Sequence, residues 1–316
     1  FMRVLNTLGM IDFKEPFTRL LTQGMVCKET MTCPDHGYLF PEQALKNDNG
    51  NLLCSRCSKD VEIGRVIKMS KSKKNVVDPN ELLEKYGADV TRLFCLFAAP
   101  PERDLEWSED GVEGSHRFVN RVWRFALECL EKIDGFQPFT GAASDLLSEE
   151  AKVLYIKANQ TIQKVTDDID KSFHFNTAIS AVMELVNTLY SIDLDSADAE
   201  MKKVIQFSLE NILLLLSPIL PHFCEELFEK LGKTASILEQ PWPEYRKDSL
   251  RTDEVLIVVQ VNGKLRSKIT IGADVGEEVI KEKALADEKI KKYVGDKVPK
   301  KIIIIRKKQT LINIVV

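Results

Sequence analysis

The segment from Ser108 to Gly232 restricts the fold of this chain more than any other feature, because apolar residues recur there at helical spacing. The first of five such runs has apolar residues three or four positions apart, at Phe118, Val122, Phe125, Cys129 and Ile133. Gly135, Pro218 and Gly232 mark ends of the runs. Successive amphipathic helices joined by short turns bury their apolar stripes against one another. The pattern therefore predicts a helical bundle over residues 108–245.

Residues 252–316 follow a different pattern, with β-rich runs on both sides of one helical run. Asn262-Gly263 is the dipeptide typical of a tight hairpin turn between two strands. The predicted elements, in order, are strands Val255–Val261 and Leu265–Ile271, a helix Glu277–Lys292, and strands Ile302–Ile305 and Leu311–Val316. The order ββαββ predicts a small α+β domain.

Charge is distributed unevenly along the chain, although the formal net charge is only −4. Residues 255–316 hold 14 Lys and Arg against 7 Asp and Glu, so this part carries +7 and the rest of the chain −11. A basic C-terminal module suits the phosphates of RNA. The alternative is a solvated, lysine-rich helix face on a small domain.

The length of 316 residues predicts two to three domains. The longest apolar run, Ile212–Leu220, is too short to span a bilayer and contains Pro218, so no membrane partner is expected. The first residues lack the basic-then-apolar pattern of a secretory leader. Seven cysteines, an odd number, argue against a disulfide framework. We therefore expect a cytoplasmic, reducing environment.

Two pairs of potential metal ligands lie in a loop-like segment, about residues 27–64. They are Cys33 with His36, and Cys54 with Cys57, and 17 residues separate the pairs. A two-residue gap lets one tight turn direct two ligands at a tetrahedral ion, so the spacing predicts a structural zinc ribbon. Cys27 is an alternative to His36 as the fourth ligand. A reduced, metal-free insert is the alternative to zinc.

A cationic loop follows the predicted strand residues Val66 and Ile67. Its sequence is Lys68-Met69-Ser70-Lys71-Ser72, and Lys73, Lys74 and Asn75 come next. Ammonium groups and hydroxyls concentrated in one loop can supply countercharge to a polyphosphate while one of its bonds breaks. The alternative is a solvated, lysine-rich turn.

The Lys68–Ser72 loop resembles the second active-site motif of class I aminoacyl-tRNA synthetases. The residues downstream are similar to the leucine branch of that class in particular, at Tyr86–Asp89, Arg92–Phe94 and Ala98–Ser108. The isoleucine and valine branches are similar around Tyr86–Asp89 and differ after it. The resemblance extends over essentially all 316 residues.

This resemblance implies a multidomain fold, mainly α with α+β parts. Residues 1–107 would be the C-terminal part of a class I nucleotide-binding catalytic domain, and residues 108–245 an anticodon-binding-type helical bundle. Residues 252–316 would be a small tRNA-binding domain. The implied activity is ATP-dependent activation of leucine and transfer of the leucyl group to tRNA(Leu), with Mg²⁺ accompanying the ATP.

The resemblance also implies roles for individual residues. Lys71 would hold the β- and γ-phosphates of ATP with the help of Lys68, while Ser70 and Ser72 would order the loop around Met69. The bundle and the C-terminal domain would contact tRNA through basic side chains, at Arg117, Arg121, Arg124, Lys291, Lys292, Lys297, Lys300 and Lys301. The three arginines could equally be solvated.

Two features of the family are missing from the sequence. It contains no His-x-Gly-His-like motif, and it lacks the large editing insert of the leucine branch. We therefore expect a fragment, or one half of a split enzyme with a separate N-terminal subunit, and a chain that is inactive alone. The alternative is a non-catalytic tRNA-binding protein or subunit with a structural zinc ribbon.

Overall fold

The computed structural model describes residues 1–133, 135–250, 254–272, 276–294, 299, 301–306 and 310–315. The chain forms two compact units. The first contains Phe1–Thr140 and Thr161–Glu244, and the second contains Gly141–Gln160 and Tyr245–Val316.

The N-terminal part of the first unit is built from one short helix and small sheets. Its elements are α1 (Met2–Thr7), β1 (Val26–Lys28), β2 (Met31–Cys33), β3 (Gly37–Leu39), β4 (Ala44–Lys46), β5 (Leu52–Cys54), β6 (Glu62–Ile63) and β7 (Ile67–Lys68). After α2 (Pro79–Phe97), strand β8 (Leu105–Glu106) completes a three-stranded sheet in the order β7-β1-β8. Strands β2 to β6 lie between β1 and β7 in sequence and form a ribbon of two small sheets.

Strand β8 pairs with a strand that is distant in the sequence. Leu105 pairs with Val26 and Glu106 with Cys27, both in parallel register. The side chain of Asp104 accepts a hydrogen bond of 2.8 Å from the backbone N–H of Met25. Because the partner strand lies 79 residues away, local sequence gave no indication of this pairing.

Five further long helices confirm the predicted bundle: α3 (Glu109–Lys132), α4 (Glu149–Asp167), α5 (Phe175–Leu189), α6 (Ala199–Leu216) and α7 (Pro221–Lys230). Ser108 caps α3, because its Oγ accepts from the N–H of Gly111 at 3.2 Å. Helix α2 bends at Gly87, which has φ 82° and ψ 165°. It packs on α3, α5 and α7.

The C-terminal part of the second unit is a four-stranded sheet with two helices. Its elements are β9 (Glu254–Val261), β10 (Lys264–Gly272), α8 (Glu277–Ala286), α9 (Glu288–Val294), β11 (Lys301–Arg306) and β12 (Thr310–Val315). The strand order is β10-β9-β12-β11, and β12 is parallel to β9 while the other pairs are antiparallel. The core lies between one face of the sheet and the two helices, and includes Ile257, Val259, Ile280, Ile290, Ile312 and Ile314.

The helix predicted over Glu277–Lys292 is in fact two helices. Asp287 has extended backbone dihedrals, with φ −61° and ψ 128°, and interrupts the helical path. Its Oδ1 accepts from the N–H groups of Lys289 and Ile290, each at 3.0 Å, and so caps α9. An aspartate that caps a new helix competes with continuation of the old one, and periodicity alone does not reveal this.

Within the described residues, no helix combines the length and the apolar content that crossing a membrane requires.

Candidate active-site loop and metal site

The Lys68–Ser72 loop leaves the end of β7, a strand that pairs with the middle strand of its sheet. Lys68 lies opposite Cys27 and Ile67 opposite Lys28 in an antiparallel register with β1. The chain then makes one 3₁₀ turn over Lys71–Lys73. Lys68 and Lys71 are exposed, as the prediction of a cationic loop that meets a ligand requires.

Hydrogen bonds hold the backbone of this loop. The N–H of Met69 donates to the carbonyl of Val26 at 3.1 Å, and the N–H of Lys73 donates to the carbonyl of Ser70 at 3.1 Å. The hydroxyls of Ser70 and Ser72 lie 2.8 Å apart. The structure thus brings the two serines together, with Met69 and Ser70 half-buried beneath the exposed lysines.

Asn75 is a residue of this loop whose role the sequence did not reveal. It is 2 % exposed. Its Nδ2 donates to the carbonyls of Lys28 at 2.9 Å and Ile67 at 3.2 Å, and its Oδ1 accepts from the N–H of Ser70 at 2.9 Å. The only sequence indication was an asparagine at the end of a polar run, which is also typical of an ordinary turn.

The ribbon and the loop share one cavity. Lys28, Phe40, Lys71 and Asp78 are among the residues that line it. The ammonium of Lys74 lies 5.6 Å from the centre of the Phe40 ring, within the range of a cation–π contact. The loop is therefore bordered by the first residues after β3 of the ribbon.

The four predicted metal ligands converge in the ribbon. One ligand atom from each of Cys33, His36, Cys54 and Cys57 lies within 4.8 Å of the other three. His36 Nδ1 is 3.5 Å from Cys33 Sγ and 3.6 Å from Cys54 Sγ. Tetrahedral zinc, with bonds of about 2.3 Å to sulfur and about 2.0 Å to nitrogen, sets sulfur and nitrogen about 3.6 Å apart. The cluster is thus compatible with zinc.

Backbone groups around the cluster favour thiolate ligands. The backbone N–H of Arg56 hydrogen-bonds the sulfur of Cys54, and this contact contributes most to lowering the pKa of that thiol to about 7. Cys27, the alternative fourth ligand, lies on β1 and outside the cluster. Its pKa is raised by burial, and its sulfur contacts the carbonyl of Met25 at 3.7 Å. The structure therefore brings His36, and not Cys27, to the other three ligands.

The three predicted tRNA-binding arginines differ in their surroundings on α3. Arg117 and Arg124 are exposed, and Arg117 lies 3.7 Å from Glu113. The guanidinium of Arg121 lies 4.7 Å from the ring centre of Tyr190, whose hydroxyl donates to the carbonyl of Arg121 at 2.7 Å. Arg121 is thus engaged within the bundle, whereas the other two present their charge to solvent.

The predicted tRNA-binding lysines fall into two groups. Lys291 and Lys292 are exposed in the last turn of α9, and Lys301 is exposed at the start of β11. Lys297 and Lys300 lie outside the described residues.

Residues of α2 that carry the family resemblance anchor the start of α7. Asp89 is 9 % exposed, and its Oδ2 accepts from the N–H of Phe223 at 2.7 Å while its Oδ1 lies 3.0 Å from His222 Nδ1. Arg92 donates to the carbonyls of Pro218 at 2.8 Å and Ile219 at 3.0 Å. The carboxylate of Asp89 therefore caps α7.

Comparisons with family models agree with this architecture. Residues 57–108, which include the lysine loop, α2 and β8, match the family described as tRNA synthetases class I (I, L, M and V). Residues 151–281 match the family described as anticodon-binding domain of tRNA ligase. Both parts of the chain are therefore similar to tRNA ligases, and residues 57–108 to those of class I in particular.

Within that class, the chain aligns over its whole length with leucine–tRNA ligases. It is 64 % identical to the enzyme of Desulforapulum autotrophicum, 57 % to that of Desulfatibacillum aliphaticivorans and 49 % to that of Syntrophus aciditrophicus, and covers 36 % of each. The chain thus spans about a third of the length of these relatives and matches their C-terminal third. The resemblance to the leucine branch is confirmed.

A solved structure supports the same assignment of fold. It is the crystal structure of a ternary complex of Agrobacterium radiobacter agnB2 LeuRS, tRNA and LeuAMS. The TM-score is 0.66 at 28 % sequence identity, and the match covers 99 % of this chain and 34 % of that one. The predicted fold class is therefore confirmed.

Proposed function

We propose that this chain supplies the lysine loop and the tRNA-binding parts of a leucine–tRNA ligase. In the proposed reaction a carboxylate oxygen of leucine attacks the α-phosphorus of ATP, and pyrophosphate leaves. A terminal ribose hydroxyl of tRNA(Leu) then attacks the carbonyl carbon of the leucyl-adenylate, and AMP leaves. The observation that carries this proposal is the exposed Lys71, on an anchored loop, in a chain aligned end to end with ligases of this activity.

Lys71 is proposed to hold the β- and γ-phosphates, with Lys68 assisting. Negative charge on the leaving pyrophosphate increases as its bond to the α-phosphorus breaks, so a fixed ammonium stabilises the transition state more than bound ATP. The backbone contacts of Met69 and Ser70 and the paired hydroxyls of Ser70 and Ser72 limit the loop's motion. Mg²⁺ would enter with ATP as part of the substrate.

The helical bundle and the C-terminal domain are proposed to position tRNA. Arg117, Arg124 and Lys301 are exposed, as are Lys291 and Lys292, and contacts to phosphate would set the register without reading sequence. The match to an anticodon-binding model and the tRNA in the Agrobacterium complex support this role. The proposed domains remain 1–107, 108–245 and 252–316.

The ribbon is proposed to hold one structural zinc ion. Cys33, His36, Cys54 and Cys57 would fill all four positions of a tetrahedral site, which leaves no open position for substrate. Its task would be to keep β2 to β5 folded beside the lysine loop.

The alternative, a non-catalytic tRNA-binding protein, is not favoured, because the named relatives are all leucine–tRNA ligases. The leucine pocket and the rest of the ATP site would come from the part of the catalytic domain that this chain does not align with. That part would lie on the same polypeptide or on a separate N-terminal subunit.

A chimera tests the proposal. This chain replaces the matching third of the Desulforapulum enzyme, and leucine-dependent ATP–pyrophosphate exchange and leucylation of tRNA are measured. We expect an active enzyme in which Lys71→Ala lowers the rate of adenylate formation by about 100-fold to 1000-fold, with a smaller effect on ATP binding. Lys46→Ala, an exposed lysine of β4, is the matched control and should leave both rates unchanged. Normal exchange in Lys71→Ala would contradict the proposed role.

A further inference from the structure

Asn75 is the buried group on which the lysine loop rests. Its amide lies 2 % exposed at the point where β1 and β7 pair, and it contacts three separate backbone segments. Its two shorter hydrogen bonds go to the carbonyls of Lys28 and Ile67, which are opposite each other in the strand register, and a longer one of 3.5 Å goes to the carbonyl of Lys68. The third contact is to the N–H of Ser70, inside the loop.

The chain conformation before Asn75 makes these contacts possible. Lys74 has φ 53° and ψ 22°, a left-handed conformation that closes the 3₁₀ turn of Lys71–Lys73 and reverses the chain. The reversal directs the side chain of Asn75 back beneath Ser70. A residue five positions after Ser70 thereby closes the loop from below, while Lys68 and Lys71 stay exposed above it.

An amide is the group that fits this position. It offers two N–H donors to the two carbonyls and one oxygen to the Ser70 N–H, so each of these backbone groups obtains a partner. An aspartate of the same shape would place a carboxylate oxygen against the carbonyl oxygens. An alanine would remove the amide contacts to these carbonyls and to the Ser70 N–H, and the loss of buried hydrogen bonds is costly.

We propose that Asn75 is a positioning residue that fixes the backbone of the Lys68–Ser72 loop and thereby the direction of its lysines. The inference rests on the proposed function, because the loop's task is assigned there. Asn75 itself touches no phosphate in this scheme. It acts through Ser70, by keeping the loop in one conformation before the substrate arrives.

Limited proteolysis of this chain tests whether Asn75 fixes the loop, independently of any activity. Trypsin cleavage after Lys71 and Lys73 is timed in the unaltered chain and in Asn75→Ala and Asn75→Asp; the residues on both sides of these bonds are the same in all three. We expect cleavage about tenfold faster in both variants, because cleavage follows the population of the opened loop. Asn51→Ala, at an exposed asparagine of the ribbon, is the matched control and should match the unaltered chain.

Asn75→Asp separates hydrogen bonding from the filling of space. If Asn75 only filled a hole, the aspartate of equal size would protect the loop as well as asparagine does, and this result would overturn the proposal. Cleavage after lysines elsewhere in the chain and the thermal midpoint report whether a variant is folded. The proposal would also be overturned if both variants remained folded and were cleaved no faster than the unaltered chain.

The chimeric enzyme tests the consequence for catalysis. In Asn75→Ala we expect the kcat of leucine-dependent exchange to fall by about tenfold or more, while single-turnover transfer from preformed leucyl-adenylate to tRNA stays within about twofold. Equal losses in both steps would indicate a general structural defect and would overturn the positioning role. Normal exchange in Lys71→Ala would contradict the proposed function. The proteolysis result tests the role of Asn75 and does not depend on that function.

Discussion

Removing metal from the ribbon should unfold that ribbon and leave the rest of the chain intact. The perturbation is a chelator, or the variant Cys54→Ser, which removes one of the four clustered ligands. We expect one zinc ion per chain before treatment. After treatment we expect strands β2 to β5 to unfold.

The structure indicates how large this effect is. The buried hydrophobic residues of the ribbon core are Cys33, Leu39 and Cys54, with Met31, Cys57 and Val61 partly buried. Burial of a leucine side chain contributes about 1.5–3 kcal/mol, whereas binding of zinc at such a site contributes about 10–16 kcal/mol. Zinc bound as proposed would therefore supply most of the ribbon's stability. Loss of even a third of about 10 kcal/mol would raise the equilibrium constant for local unfolding of the ribbon about 100-fold or more.

Hydrogen–deuterium exchange with mass spectrometry measures this, together with elemental analysis for zinc. Backbone amides of β2 to β5 should exchange about 100-fold faster after chelation, while amides of β9 and β12, in a separate compact unit, should be unaffected. Cys27→Ser is the matched control, since its thiol lies outside the cluster, and it should retain the metal.

Two results would refute this reasoning. Unchanged exchange in the ribbon after complete loss of metal would mean that its apolar contacts suffice. Loss of metal in Cys27→Ser, with Cys33, His36, Cys54 and Cys57 intact, would mean that the ligand set is wrong.

Two further predictions concern polar contacts elsewhere. Asp89→Ala removes the acceptor of the Phe223 N–H and the partner of His222, and should lower the free energy of unfolding by about 1–3 kcal/mol in urea titrations; no change would mean that water replaces the carboxylate. The hydrogen bond from Arg246 holds the pKa of Asp248 below its ordinary value of 3.8, so the stability from this pair is complete above that value and is lost as the pH falls through the folded-state pKa. An NMR titration of the Asp248 carboxyl should show this midpoint rising in Arg246→Ala, and an unchanged midpoint would contradict the assigned cause.

Features set by neighbouring residues were predictable from the sequence. The bundle helices follow from apolar spacing, and the hairpin between β9 and β10 follows from Asn262-Gly263, whose φ values of 49° and 78° suit a tight turn. The kink of α2 follows from Gly87, because its φ of 82° is open to glycine and costly for other residues. In each case the physical cause lies within a few residues of its effect.

The metal site was partly predictable for the same reason. The short spacing within each ligand pair is a local property, and it identified Cys33 with His36 and Cys54 with Cys57. It did not exclude Cys27 as the alternative to His36. Cys27 belongs to β1, and its thiol is held by pairing with β7 and β8 away from the ribbon core. Only the path of the chain between the strands decides which residue completes the tetrahedron.

The contacts that hold the lysine loop and the start of α7 were hidden because they join distant segments through ordinary residue types. Asn75 reaches a carbonyl 47 positions away, and Asp89 reaches an N–H 134 positions away. Asparagine and aspartate near turns and helix starts are so common that neither attracts notice. The exposed lysines are conspicuous in the sequence because several of them fall in one short run. Asn75, which is proposed to orient them, is buried and contacts a segment that is distant in the sequence, so its contacts are visible only in the fold.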